Sequence, residues 1–355
     1  MKFLPKRSLS IIKTAFFASL VALFSFTFSE VLAQDESPDH GTEQHGNPEK
    51  KPNVSKVIIE HVLDNHIWHF FDGHYGTLYL PIIVYSPDRG LDVFSSHHFY
   101  DEHHNVIEYN GYRLAHNKIY FGETPVLDFS ITKNVMMLFL NAGILIIMMI
   151  SVAKAYRRNA GKAPRGVQAF IEPIILFVKD EIVKPNIGPR YERYLPYLLT
   201  LFFFILFGNL LGLLPGSGNL TGNIAVTMTL AVFTFLITNF SGNANYWKHI
   251  LWTPGVPLPL RIIILPVEII GIFTKPFSLM IRLFAAITAG HIVLLSLLSL
   301  TFIFESWLVG IGSSVFVLFI SLIELLVAGI QAYVFTLFTS LYIGLAVEEH
   351  HGDGH

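Results

Sequence analysis

Cysteine is absent from the chain. Disulfide frameworks, thiolate metal sites and cysteine nucleophiles are therefore excluded. Charge is scarce: Asp, Glu, Lys and Arg make up 14% of the residues, against about one-quarter in soluble domains. Neither sign is in excess, the formal net charge being −2, so nothing points to nucleic acid as a partner. "GSGN" and "GNAN" lack the Gly-Lys-Ser/Thr of a phosphate loop and read as turns, which leaves no recognisable nucleotide site. Eleven of the sixteen histidines lie between His40 and His116. No helical i, i+4 pair with a well-placed third ligand occurs among them, so they read as a solvated, pH-sensitive surface, with no metal or cofactor expected.

What is present is apolar sequence: 52% of 355 residues are hydrophobic, and the mean hydropathy is +0.52. A membrane protein is the first expectation. Lys2, Lys6 and Arg7 precede a short apolar run ending at "VLAQ". Residues 1–33 read as a signal peptide cut after Ala33, the alternative being a retained first membrane helix. Residues 34–127 form the large polar region. It begins as a Pro-, Gly-, His- and acid-rich linker. Strand-like "TLYLPIIVY" and "LDVF" follow, and then "VIEYNGYRLAHNKIYF", whose Asn110–Gly111 is a two-residue hairpin signal. A small, mostly β extracytoplasmic region is expected.

The membrane domain is placed at 128–351. Its spans are predicted at about 131–153, 193–214, 222–240, 260–300 and 311–347, each holding at least the ~20 apolar residues a crossing needs, or nearly so. Lys154, Arg157, Arg158, Lys162 and Arg165 follow the first span with no acid between them, which marks the cytoplasmic side. Val167, Phe170, Ile171, Ile174, Ile175, Val178 and Ile182 recur at helical spacing. Gln168, Glu172, Lys179, Asp180 and Lys184 fall on the other side. This predicts an interfacial amphipathic helix at about 166–184. The fold class is thus an all-α polytopic membrane protein of five transmembrane helices plus one interfacial helix. The last two are long, tilted and paired as a hairpin, and the C-terminus is cytoplasmic.

The last two segments hold Glu268, Lys275, Arg282, His291, Glu305, Glu324 and Gln331. A charge near a bilayer centre costs at least about 2.5–3.5 kcal/mol, and it survives only with partners, water or a function. For any one of them, a snorkelling residue or buried pair is the plain structural alternative. In helical form Glu268, Lys275 and Arg282 are spaced by seven and make one stripe about 21 Å long. His291 lies nine residues past Arg282, on roughly the opposite face. An antiparallel hairpin turning near Glu305–Gly312 sets Gln331 level with Arg282 and Glu324 level with His291. A carboxylate and an imidazole at one depth suit proton relay, because imidazole titrates near neutrality. Arg282 keeps its proton. It can act as an electrostatic gate that drives a passing carboxylic acid to ionise. No matching acid in this chain lies at its depth, so that acid is expected from another polypeptide.

"KPFSLMIRLFAAITAGH", "FGNLLGLLP", "EPIILFVKDEIVKPNIG" and "ELLVAGIQAYVFTLFTSLYIGLAVEEHH" resemble subunit a of F-type ATP synthases, from about Asp128 to His351. The resemblance implies a non-catalytic stator subunit in a bacterial inner membrane. It would lie beside a ring of c subunits, with the b-subunit stalk and other ATP synthase subunits as partners. It would offer two offset half-channels for protons. By matching motif positions, Arg282 is the essential arginine, and His291 with Glu324 forms the outer half-channel pair. Gln331 is the glutamine near the arginine, Glu268 the inner acid and Asn209 the "GN" residue of the second span. Lys248 and Glu268 lie toward the inner exit. Two features depart from the family: Ala286 stands where Asn is common, leaving Thr288 or water to substitute, and residues 34–127 exceed the usual N-terminus. The rival readings are a stand-alone ion-coupled secondary transporter or channel, and a metal-binding receptor with a membrane anchor.

Overall fold

The computed structural model describes residues 64–69, 77–87, 89–100, 106–115, 118–122, 124–159, 162–214, 217–251, 258–304 and 307–348. The expected signal peptide, the linker, Glu305 at the hairpin turn and the end of the acidic tail lie outside them.

The polar region is built of short strands, as its alternating sequence predicts. β1 (Ile67–His69) pairs antiparallel with β2 (Thr77–Tyr79). β3 (Pro81–Ser86) and β4 (Gly90–Ser95) form a hairpin that closes at Gly90, where φ is +83°. β5 (Tyr112–Ala115), β6 (Lys118–Phe121) and β7 (Thr124–Pro125) make a second sheet. β8 (Leu127–Asp128) returns to pair with β3. Period-two alternation turns Ile82 and Val84 inward, both fully buried, and Tyr85 outward. With Phe99, Tyr112, Ile119 and Val126 they form a small core. Asn110 and Gly111 both take positive φ, +52° and +82°, so the expected two-residue turn joins Tyr109 to Tyr112.

β8 runs almost directly into the first long helix, α1 (Lys133–Arg158). Thr132 is its N-cap, and Asp64 accepts the backbone N–H of Asn134 at 3.0 Å. The next segment is α2 (Val167–Phe177), a π-helical stretch (Val178–Val183) and α3 (Lys184–Ile187). The helix breaks at Gly188, where φ is +70°. The amphipathic expectation holds in part here. Ile171, Val178 and Ile182 are buried, but so is Gln168, which accepts a hydrogen bond from Asn159 at 3.0 Å, while Phe170 is 71% exposed. Gln168 is drawn inward because it gives the half-buried Asn159 amide at the end of α1 a partner.

α4 (Tyr191–Gly212), α5 (Ile224–Ser241) and the short α6 (Ala244–Leu251) follow. Two long helices complete the chain, α7 (Leu258–Phe304) and α8 (Trp307–Val347). Among the described residues, five helical stretches are long and apolar enough to cross a membrane. At 47 residues, α7 is about 70 Å long, more than twice the ~30 Å of a hydrocarbon core.

Lipid is as apolar as leucine, so such helices associate by close packing and hydrogen bonds rather than by exclusion of water. The contacts fit that rule. Gly208 of α4 lets Asn141 of α1 approach, and Asn141 donates to the Phe204 carbonyl at 3.0 Å. Gly344 of α8 admits the carbonyl of Asn186 where any side chain would collide. Tyr197, Thr234 and Thr339 link α4, α5 and α8 through their hydroxyls. Asn243 bonds the last carbonyls of α8, at Ala346 and Val347. That places the C-terminal end of α8 at the end of the bundle away from the β domain.

Candidate functional site

Successive residues of α7 meet residues of α8 in reverse order. Gly290 faces Glu324, Arg282 lies over the ring of Phe338 at 4.7 Å, and Lys275 lies over Tyr342 at 5.5 Å. Seven residues past Glu324 and seven before Phe338, Gln331 lies on α8 between the contacts made by Gly290 and by Arg282. Glu268 lies toward the end of the bundle away from the β domain, and His291 and Glu324 lie toward the β-domain end.

Arg282 is exposed at the surface of the single chain and forms no ion pair among the described residues. Its helical neighbours on that surface, Ser278, Ala285 and Ala289, are also exposed. All three are small. The guanidinium thus stands on a stripe where another helix can approach closely. This feature eludes a search of the sequence for charges, because its signal is small side chains at i−4, i+3 and i+7 from the arginine. Thr288 does not take the role of the missing asparagine. Its hydroxyl is buried without a hydrogen-bond partner among the described residues, and so makes no hydrogen bond to Arg282.

Glu324 is the opposite case. It is 3% exposed, and neither carboxyl oxygen has a hydrogen-bond partner among the described residues. A Cβ at Gly290 would come within 2.9 Å of its Oε1, so glycine alone leaves the carboxyl its place. His291 is the next residue along α7 and half-buried. The structure brings His291 and Glu324 to one depth but does not bond them directly.

Asn209 joins the group from α4. Its Nδ2 donates to the Ala328 carbonyl, one turn from Glu324, at 3.3 Å, and its Oδ1 accepts from Thr221 at 2.6 Å. Asn141 and Thr221 both crowd Gly208. Asn141, Asn219 and Thr221 escape a reading confined to the last two helices. An asparagine inside the apolar run of α1 is the signal that finds the first of them.

Residues 135–344 match the ATP synthase A chain family. Residues 57–132 match a domain of unknown function, DUF8433. The chain is 50% identical over 241 residues to ATP synthase subunit a 2 of Chlorobaculum tepidum, covering 66% of this chain and 67% of that protein. It is 45% identical over 265 residues to ATP synthase subunit a of Chloroherpeton thalassium, with 72% and 78% covered. Against ATP synthase subunit a of Chlorobium phaeobacteroides strain DSM 266 the identity is 38% over 326 residues, with 90% and 80% covered. A helical bundle with an isolated surface arginine, a buried acid and matches of this extent admits one conclusion: the chain belongs to the subunit a family of F-type ATP synthases.

Proposed function

We propose that this chain is the proton-conducting stator of its ATP synthase and that Arg282 is its gate. The observation that carries the reading is a guanidinium at the middle of a long apolar helix, with no ion pair among the described residues, on a stripe of small residues. The acid it awaits is supplied by the passing ring of c subunits. A carboxylate about 4 Å from such a cation gains about 4 kcal/mol at an effective dielectric of 20. That is close to three pKa steps, enough to strip a proton from a carboxyl group entering from lipid.

The β domain faces the extracytoplasmic side, and residues 1–33 serve as its export signal. The cluster Lys154, Arg157, Arg158, Lys162 and Arg165 and the C-terminus lie in the cytoplasm. A proton enters from the β-domain side, passes His291 and Glu324, and neutralises a ring carboxylate. The neutral carboxyl turns through lipid at low cost. It ionises on meeting Arg282 from the other side and releases its proton toward Glu268 and Lys248. Gln331, midway along α8 between Glu324 and the Phe338 ring under Arg282, offers a neutral amide that steadies either state. The chain itself performs no covalent chemistry. The amphipathic segment from Val167 lies along the inner membrane surface, and the b-subunit stalk holds the chain against rotation.

The test is Arg282→Ala in the assembled complex. ATP-driven acidification of inverted vesicles is expected to vanish while ATP hydrolysis by the soluble sector persists. Undiminished acidification rejects the gate. A stand-alone transporter would instead move protons when purified without a ring.

A further inference from the structure

The β domain meets the membrane helices through titratable groups. His66 is 3% exposed, and its Nε2 lies 2.9 Å from Asp128 Oδ2. The Asp128 side chain is 23% exposed and so touches solvent. Asp64 accepts the N–H of Asn134, the second residue of α1, and lies close enough to His66 and Lys133 to feel their charge. Lys133 is 8% exposed, with its Cε 3.3 Å from where a Cβ of Gly218 would stand.

From this junction a row of polar residues descends between α1, α4 and the loop after α4. It comprises Asn134, Asn219, Asn141, Thr221 and Asn209, all at most 8% exposed. Asn141 lies about 12 Å below Lys133 along α1. Several atoms along this route are buried without a protein partner among the described residues: His66 Nδ1, Asn219 Nδ2, Asn141 Oδ1 and both oxygens of Glu324. The other such atoms are all hydroxyls. Buried polar atoms of this kind bind water. Farther from the β domain, the interface of α1 is apolar, with Leu145 and Val152 buried.

We propose that the β domain is the vestibule of the inward proton path, in which Asp128, His66 and Asp64 take protons from solvent and pass them to water held along the Asn134–Asn219–Asn141–Asn209 row, which leads to Glu324. This rests on the reading of Arg282 and Glu324 given above. Asp128 takes a proton at the surface and gives it to His66 Nε2. The ring releases its other proton from the buried Nδ1 toward Asp64, which heads the row. The need is kinetic. A single acid fed at the diffusion ceiling of about 10⁹–10¹⁰ M⁻¹s⁻¹ receives only about 10–100 protons per second at pH 8. A group of acceptors at the mouth enlarges the target.

The experiment uses the whole complex in proteoliposomes with the β domain facing the acid reservoir. ATP synthesis is measured at reservoir pH 6 and pH 8 under one total driving force, for the unaltered chain, His66→Gln, Asp128→Asn and Asn141→Ala. The amides keep the hydrogen-bonding shape of their sites but cannot carry the proton. The expected result is a rate at least threefold below the unaltered chain at pH 8 for His66→Gln and Asp128→Asn, with the gap narrowing at pH 6. Asn141→Ala lies past the collecting groups and is expected to be slow at both. Equal rates at pH 8, or an equal deficit of His66→Gln and Asp128→Asn at both pH values, mark a structural role and overturn the vestibule. Failure of the gate itself is distinguished by Arg282→Ala, which would then still transport.

Discussion

Gly290→Ala offers a sharp test of the buried acid. The new methyl would stand 2.9 Å from Glu324 Oε1, 3.2 Å from its Cδ and 3.3 Å from its Cγ. The carboxyl group must therefore move by several tenths of an ångström or more. Overpacking of this kind costs about 1–3 kcal/mol, and alanine returns about 0.5–1 kcal/mol through its better helix propensity. The net cost, about 0.5–2 kcal/mol, corresponds to a factor of about 2–30. If that cost falls on the proton-accepting geometry, ATP-driven pumping in inverted vesicles slows by that factor. Gly143→Ala, where no atom lies within 4 Å of the added methyl, is the control and keeps its rate. Glu324→Asp in the Gly290→Ala background draws the carboxyl back by one methylene, about 1.5 Å, and is expected to recover part of the loss. Full-speed pumping by Gly290→Ala, or no recovery in the double variant, refutes the link between the glycine and the acid.

Other expectations follow from single contacts. Exchanging the residues at His291 and Glu324 keeps an acid and an imidazole at one depth, so the double exchange is expected to pump faster than either single alanine variant. Asn209→Ala removes the bond to Ala328 and leaves the Thr221 hydroxyl without its acceptor, costing about 1–3 kcal/mol; a lowered midpoint for heat dissociation of the solubilised complex checks it. Gly344→Ala drives a methyl into the Asn186 carbonyl, and the chain is expected to be lost from membranes on immunoblots.

At the β-domain junction, burial pushes the Asp128 carboxyl up. The hydrogen bond and charge of His66, with the Ser130 bonds, outweigh that and hold it below its ordinary 3.8. Its contribution is thus present above the ordinary value and lost as pH falls through the lowered one. Asp64 runs the other way: burial holds its carboxyl above 3.8 despite the Asn134 and Thr132 bonds, so the junction gains stability as pH falls through that raised value, and the gain is complete below 3.8. Hydrogen-exchange protection at Leu80, whose N–H bonds to the His66 carbonyl at 3.4 Å, is expected to fall only below about pH 4. Asp128→Asn is expected to remove that fall.

The parts of the fold legible in sequence were those set by short-range rules. The apolar runs marked five crossing segments, and Asn110–Gly111 marked its turn because only residues tolerant of positive φ suit it. Gln168 was misplaced because a helical pattern ranks a residue by polarity and cannot foresee Asn159 as its partner. Arg282 stood out as a cation in an apolar run, whereas the small residues beside it carry no such mark.

Residue type and spacing alone determined that this chain enters a membrane, that it holds an arginine and a carboxyl group there, and that Arg282 and His291 lie on different faces of one helix. Hydropathy and helical period act locally, so both are written in the linear order. Tertiary structure decided what each charge meets. It left Arg282 open to a neighbour, sealed Glu324 against Gly290, and tied Asn134 of the first long helix to the β domain through Asp64. Those outcomes depend on which residues far apart in the chain come to lie within a few ångströms, and no local rule contains that information.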